Sequence, residues 1–298
     1  MISLSNLLSI LLAVTMELSL SACGPGEPSQ PAAEEPAPPA QTQETPEEPA
    51  GDAAANLTVT AGTENYRGFL LDNVLHAPEG GIHYHIHIPD SYDGSEPYAL
   101  YLTLPGYEGL YFQGVGQNLY SEDFAFESLE YNDHMIVAAP QLGDWGETSA
   151  EQTIALTEYL LEAYNIDPDQ VYANGYSGGG ETMSRVLGMR PDLFTAYLHC
   201  SSQWDGSYEP VAEARVPVYL VVGEGDEYYG AGPTREAYDQ LRALYQEAGL
   251  SEEEIGRLLV LDIKDADYFR AGGAPNQHGG GNLFARDPEI MGWLFAQR

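Results

Sequence analysis

The residues with the clearest chemical purpose are Gly175-Tyr176-Ser177-Gly178-Gly179-Gly180. A short apolar run, Val171-Tyr172-Ala173, leads in, and a run suited to a helix, Glu181 to Met189, leads out. Strand, sharp turn and helix put a serine hydroxyl at an exposed apex. Glycines two positions to either side leave room for a turn that a Cβ would block. A hydroxyl held this way is suited to attack on an acyl carbon once a base takes its proton. A chain with 32 glycines also produces this spacing in turns with an idle serine, so the pattern gains its weight from the strand-to-helix setting.

Such a serine needs elements that carry its partners to the same edge. Tyr98 to Leu104 is a nearly continuous apolar strand ending in Pro105-Gly106-Tyr107-Glu108-Gly109, and Met135 to Ala139 is another, followed by Pro140 to Gly146. Ala196 to Cys200, Val216 to Val222 and Leu258 to Ile263 continue the series. Helices are expected from about Ser149, from Arg235 to Ala248 and from about Pro288 to Phe295. Ser149 and Gln152 make a capping box for the first, with Leu156, Leu160, Ala163 and Tyr164 on one face. Apolar strands alternating with helices predict an α/β fold, a mostly parallel doubly wound sheet with helices on both faces. Leu57-Thr58-Val59, Phe69-Leu70-Leu71 and Ile82 to Ile88 would form its antiparallel N-terminal edge. In the last of these, His83, His85 and His87 share the face opposite the isoleucines. Three alternating histidines can chelate zinc, but no further ligand cluster lies nearby, so a solvated strand face is expected and no metal.

In a doubly wound sheet, ligands sit beyond the carboxyl ends of the strands. His76, His83, His85, His87 and His134 precede the serine, His134 at the wrong end of its strand, and His199 lies inside an apolar strand. His278, in the glycine-rich loop Ala274 to Gly281 after the last strand, is the expected general base. Asp226 leaves a buried strand at its carboxyl end in Val222-Gly223-Glu224-Gly225-Asp226 and is the expected orienting acid, with Asp205 as its competitor. Carboxylates also cap helices and fill turns, which keeps that choice open. Trp145 and Trp204 fall just beyond strand ends and are candidate substrate-binding walls, or else core or lid residues. The loop Gly106 to Tyr120 is expected along the same cleft.

From about residue 66 to 298 the chain resembles the α/β-hydrolases, and among them secreted esterases such as feruloyl esterases, acetyl xylan esterases and polyhydroxybutyrate depolymerases. The resemblance rests on Tyr98 to Gly109, Val171 to Met183, Arg190-Pro191-Asp192-Leu193-Phe194, Val218 to Asp226 and the His278 loop. It implies acyl transfer through Ser177, with His278 as base and Asp226 fixing the imidazole. The oxyanion would be met by backbone donors worth roughly 3–4 kcal/mol each. Gly178 would supply one, and the loop after Leu104 the other. Relatives commonly read His-Gly there, whereas this chain has Pro105-Gly106, so Tyr107, or else Gly106, must donate. Catalytic domains of prolyl oligopeptidases look similar. The chain lacks the several hundred further residues of their propeller domain, which favours the esterase. A non-catalytic ligand-binding lipoprotein is the remaining alternative.

Acids outnumber bases 46 to 11, and beyond residue 55 they still number 38 to 11. That surface repels nucleic acid and anionic membranes and favours neutral or cationic partners, or simply solubility. No glycine-rich phosphate cradle or basic patch is present, and no cofactor is expected. Residues 1–22 form an apolar segment ending in Leu20-Ser21-Ala22-Cys23, which resembles the lipobox of bacterial lipoproteins, with Cys23 the lipidated residue. Glu17 within it and the lack of a preceding Lys or Arg depart from the pattern, and an ordinary secretory signal is the alternative. Residues 23–55 read as a disordered Pro, Glu and Ala tether, and residues 56–298 as one catalytic domain, expected to be an extracytoplasmic monomer. Cys200 reads as a small buried hydrophobe, with no disulfide to Cys23.

Overall fold

The computed structural model describes residues 57–298; the expected signal segment, Cys23 and the expected tether lie outside them. Four strands open the chain: β1 (Thr58–Thr60), β2 (Glu64–Tyr66), β3 (Phe69–Ala77) and β4 (Gly80–His87). Six follow: β5 (Tyr98–Leu104), β6 (Met135–Pro140), β7 (Ile166–Tyr176), β8 (Ala196–Cys200), β9 (Val218–Gly223) and β10 (Leu259–Lys264). They form one sheet in the order β1-β3-β4-β6-β5-β7-β8-β9-β10, with β2 paired to β3. Pairing is antiparallel from β1 to β6 and parallel from β6 to β10. This is the expected mostly parallel sheet with its antiparallel N-terminal edge.

Ten helices lie between and after the strands among the described residues: α1 (Gln117–Ser121), α2 (Phe124–Glu127), α3 (Glu147–Ala163), α4 (Gly178–Met189), α5 (Glu209–Ala214), α6 (Gly232–Glu247), α7 (Glu252–Leu258), α8 (Ala266–Ala271), α9 (Gly281–Ala285) and α10 (Pro288–Phe295). Alternation along the central strands builds two cores. Leu100, Leu102 and Leu104 of β5 face Leu156 and Leu160 of α3 and Met183 and Leu187 of α4. Ala99 and Tyr101 face the other way, into the layer of Phe124, Phe284, Ile290, Met291 and Leu294. Strands covered on both faces must be apolar at every position, which is why β5, β6 and β9 read as unbroken runs and are buried throughout.

Two local expectations are corrected. Helix α3 starts at Glu147, so Ser149 is no cap; its hydroxyl donates to Asp144 Oδ1 (2.7 Å), which also accepts the Gly146 amide. Asp144 thus gathers the turn that the capping box was expected to close, and Ala163 is exposed rather than part of the buried face. The histidine face of β4 is solvated only in part, at His83 and His87. His85 is fully buried, accepting the Asp72 amide at Nδ1 (2.8 Å) and meeting Gln141 Oε1 at Nε2 (3.1 Å). The first bond fixes the tautomer with its proton on Nε2, and burial lowers the pKa to about 4, so the ring is neutral. His83 pairs with Asp72 Oδ1 (2.7 Å) and stacks on Tyr111, while His87 bonds the Gly68 carbonyl. Each ring is engaged separately, and no cluster of three or more His, Cys, Asp or Glu residues suited to a metal occurs among the described residues.

Candidate active site

Ser177 joins β7 to α4 with φ +52° and ψ −127°, a backbone region that costs a side chain about 1–3 kcal/mol. The surroundings hold it there. Its amide donates to the Cys200 carbonyl (3.0 Å), and its own carbonyl accepts from the Gly180 amide (2.8 Å) and the Ser202 hydroxyl (2.6 Å). The flanking glycines are required by space. A Cβ on Gly175 would lie 2.5 Å from the Gly179 carbonyl oxygen, and one on Gly179 would lie 2.3 Å from that of Leu104.

At this apex Ser177 Oγ lies 3.1 Å from His278 Nε2, and His278 Nδ1 lies 2.8 Å from Asp226 Oδ2. The three residues come from β7, from the loop before α9 and from the loop after β9, all at the carboxyl edge of the sheet. Burial pushes the Asp226 carboxyl up. The His278 bond and the amides of Tyr229 and Tyr228 outweigh it and hold the group below the ordinary carboxylate range. An ionised Asp226 accepts from Nδ1–H, which leaves Nε2 free to take the serine proton. Asp205 stands apart from the imidazole, paired with Arg185 (2.8 Å).

Neighbours that sequence reasoning passed over fix this geometry. The Glu227 carboxylate accepts the amides of Gln277 (2.9 Å) and His278 (3.0 Å), and Gln277 Oε1 accepts the Gly225 amide (2.8 Å). The signal was adjacency: Glu227 directly follows Asp226, and Gln277 directly precedes His278. Two loops that must bring an acid to a base are latched by the residues next door. Tyr176 donates to the His278 carbonyl and stacks on its ring, while Tyr228 covers the ring at 5.3 Å.

The loop after β5 lies against the elbow, where a Cβ on Gly106 would sit 3.3 Å from Ser177 Cβ. The Gly106 amide is already spent on Glu122 Oε1 (2.7 Å). Among the described residues the amides of Tyr107 and Gly178 donate to no acceptor, and they are the two expected at the oxyanion. Farther along, Gln141 ties the loop down, donating to the carbonyls of Gly109 (3.1 Å) and Gly114 (2.8 Å) and accepting the Gly116 amide (3.1 Å).

Ser177 and His278 open onto a cavity of about 680 Å³ whose walls include Tyr107, Glu108, Glu122, Trp145, Tyr228 and Tyr229. Trp145 lines the cavity and packs where a Cβ on Gly178 would lie 2.2 Å from the indole. Trp204 does not line the cavity. The Asp205 and Gly206 amides bond Ser184 Oγ (2.9 and 3.3 Å) and draw their loop onto α4, which buries Trp204 among Tyr197, His199 and Tyr208. Of the loop Gly106 to Tyr120, Tyr107 and Glu108 reach the cavity.

The sequence model of the prolyl oligopeptidase family matches residues 141–209, the stretch holding the elbow. In three dimensions the chain is similar to a thermostable esterase, with 21% identity and a TM-score of 0.63 over 77% of this chain and 63% of that one. It is similar to oligopeptidase B from Leishmania major, with 17% identity and a TM-score of 0.50 over 76% and 37%. S-formylglutathione hydrolase FrmB from Staphylococcus aureus matches with 11% identity and a TM-score of 0.51 over 76% and 99%. No curated protein matches the chain by sequence. The chain thus spans less than two thirds of the esterase and well under half of the oligopeptidase. Strand order and these likenesses show the α/β-hydrolase fold.

Proposed function

We propose that this protein hydrolyses carboxylic esters through an acyl-serine intermediate. The observation that carries the reading is the unbroken relay from Ser177 Oγ through His278 to a buried Asp226, beside two unengaged amides. His278 Nε2 takes the Ser177 proton as Oγ attacks the carbonyl carbon. The oxyanion forms against the amides of Gly178 and Tyr107. Collapse expels the alcohol, which receives the proton from His278, and a water activated by the same nitrogen then releases the acid. Asp226 stabilises the transient imidazolium and remains ionised throughout. Cys23 as a lipid anchor, with the acidic tether holding the domain outside the membrane, completes the reading; plant polysaccharide or phenolic esters are natural candidates for the substrate.

The test is hydrolysis of p-nitrophenyl acetate, butyrate and octanoate and of methyl ferulate by the protein and by Ser177→Ala. Turnover that vanishes in the variant is expected. Folded protein with neither turnover nor fluorophosphonate labelling returns the chain to the ligand-binding lipoprotein alternative. A peptidase is the second reading, favoured by the family match over the elbow. Peptidyl p-nitroanilides run beside the esters decide between them.

A further inference from the structure

The cavity wall is acidic and aromatic together. Glu108, Glu122 and Glu227 line it, and no Lys or Arg does. Tyr107, Trp145, Tyr176, Tyr228 and Tyr229 supply five rings. Glu122 is the unusual member. Its side chain follows α1 and is 8% exposed, with Oε1 on the Gly106 amide (2.7 Å) and the other oxygen meeting no donor among the described residues. That second oxygen opens onto the cavity, where a donor or a positive charge on the ligand can meet it. Aromatic faces favour the same visitor, because the ring quadrupole attracts cations.

We infer that the substrates of this site are esters carrying a cationic ammonium group, held between the Glu122 carboxylate, with Glu108 near it, and the surrounding aromatic rings. The inference rests on the esterase reading for its chemistry and on the cavity alone for its charge. Burial and the neighbouring Glu108 push the Glu122 carboxyl up to about 8, so a bound cation would also draw its proton off. Anionic acyl groups are disfavoured by the same wall, and the carboxylate product is repelled as it forms.

The ammonium can belong to the alcohol or to the acyl part, and two isosteric pairs separate these. Acetylcholine is compared with 3,3-dimethylbutyl acetate, and betaine ethyl ester with ethyl 3,3-dimethylbutanoate, each rate divided by that of hydroxide-catalysed hydrolysis. At least one pair should favour the cation about tenfold or more in kcat/KM at low salt, mainly through KM, and less at 0.5 M NaCl. Glu122→Gln keeps a carbonyl oxygen for the Gly106 amide and removes the charge, so the ratio should fall several-fold towards one. Glu108→Gln, at an exposed position, should lower it less. A ratio near one in both pairs for the wild type, or one that Glu122→Gln leaves intact, overturns the inference while Ser177-dependent turnover keeps the esterase reading. If no ester turns over, calorimetric titration of Ser177→Ala with the same four esters decides. Tighter binding of a cationic partner supports the inference, and equal or no binding overturns it.

Discussion

At Ser177 the proposed nucleophile carries a conformational cost. Presenting the hydroxyl to His278 requires φ +52° and ψ −127°, a region natural only to glycine. Ser177→Gly should therefore abolish turnover yet melt higher than Ser177→Ala, by about 1 kcal/mol in urea unfolding. Equal stability of the two variants would show that the elbow is unstrained. The elbow was legible because its glycines are demanded by nearby backbone atoms, which constrains residue type directly. Trp204 was misplaced because a tryptophan after a strand satisfies a core as well as a cleft, and its loop is turned inward by Ser184, a residue 20 positions earlier.

Two loops and one strand end make the site at the level of elements. The Glu227 carboxylate is the only side-chain acceptor found for the His278 amide among the described residues. Glu227→Ala removes the Oε2 atom that both amides share and loosens the histidine loop. kcat is expected to fall about tenfold with fluorophosphonate labelling slowed in parallel, since effective molarity depends on sub-ångström placement. A change in KM alone would assign Glu227 to substrate binding. Beneath the elbow, Gly179→Ala would drive a Cβ to 2.3 Å from the Leu104 carbonyl oxygen, where backbone meets backbone and no side chain can yield. A loss of about 3 kcal/mol or more is expected on denaturation, with the elbow sprung before the domain unfolds.

At the scale of the whole molecule, the stability of the fold between pH 4 and 8 depends on buried His85, His199 and Glu122, whose folded pKa values lie far from their ordinary ones. His85 and His199 are fully buried and drop from 6.5 to about 4, through desolvation. Between those values the unfolded chain binds more protons, so stability rises with pH. Glu122 shifts the opposite way, from 4.5 to about 8, also by desolvation, so its contribution is complete at low pH and is lost as pH rises through 8. With two groups rising and one falling, these three place the stability maximum near pH 6.5. From pH 6.5 to 8 the wild type should lose about 2 kcal/mol in urea unfolding, and Glu122→Gln should lose little. A wild type that keeps its stability to pH 8 would mean that Glu122 ionises freely in the folded protein.

The sequence by itself determined the layering and the elbow and pointed to Ser177 and His278, because each follows from local rules, whereas only the tertiary structure set Asp226 beside the imidazole and Asp205 beside Arg185. Runs buried on both faces must be apolar, a tight turn must have glycine, and ligands collect at one edge of a doubly wound sheet. Tertiary structure alone decided which polar residues are inside. His85 looks solvated on an alternating strand and is covered by Gln141 and its loop, more than 50 residues away. Glu122 follows a short helix like any surface acid, and only the return of the β5 loop encloses it and takes the Gly106 amide. Burial is a property of what arrives from elsewhere in the chain. An acid on a cavity wall is therefore read from the fold, whereas a nucleophile can be read from its neighbours.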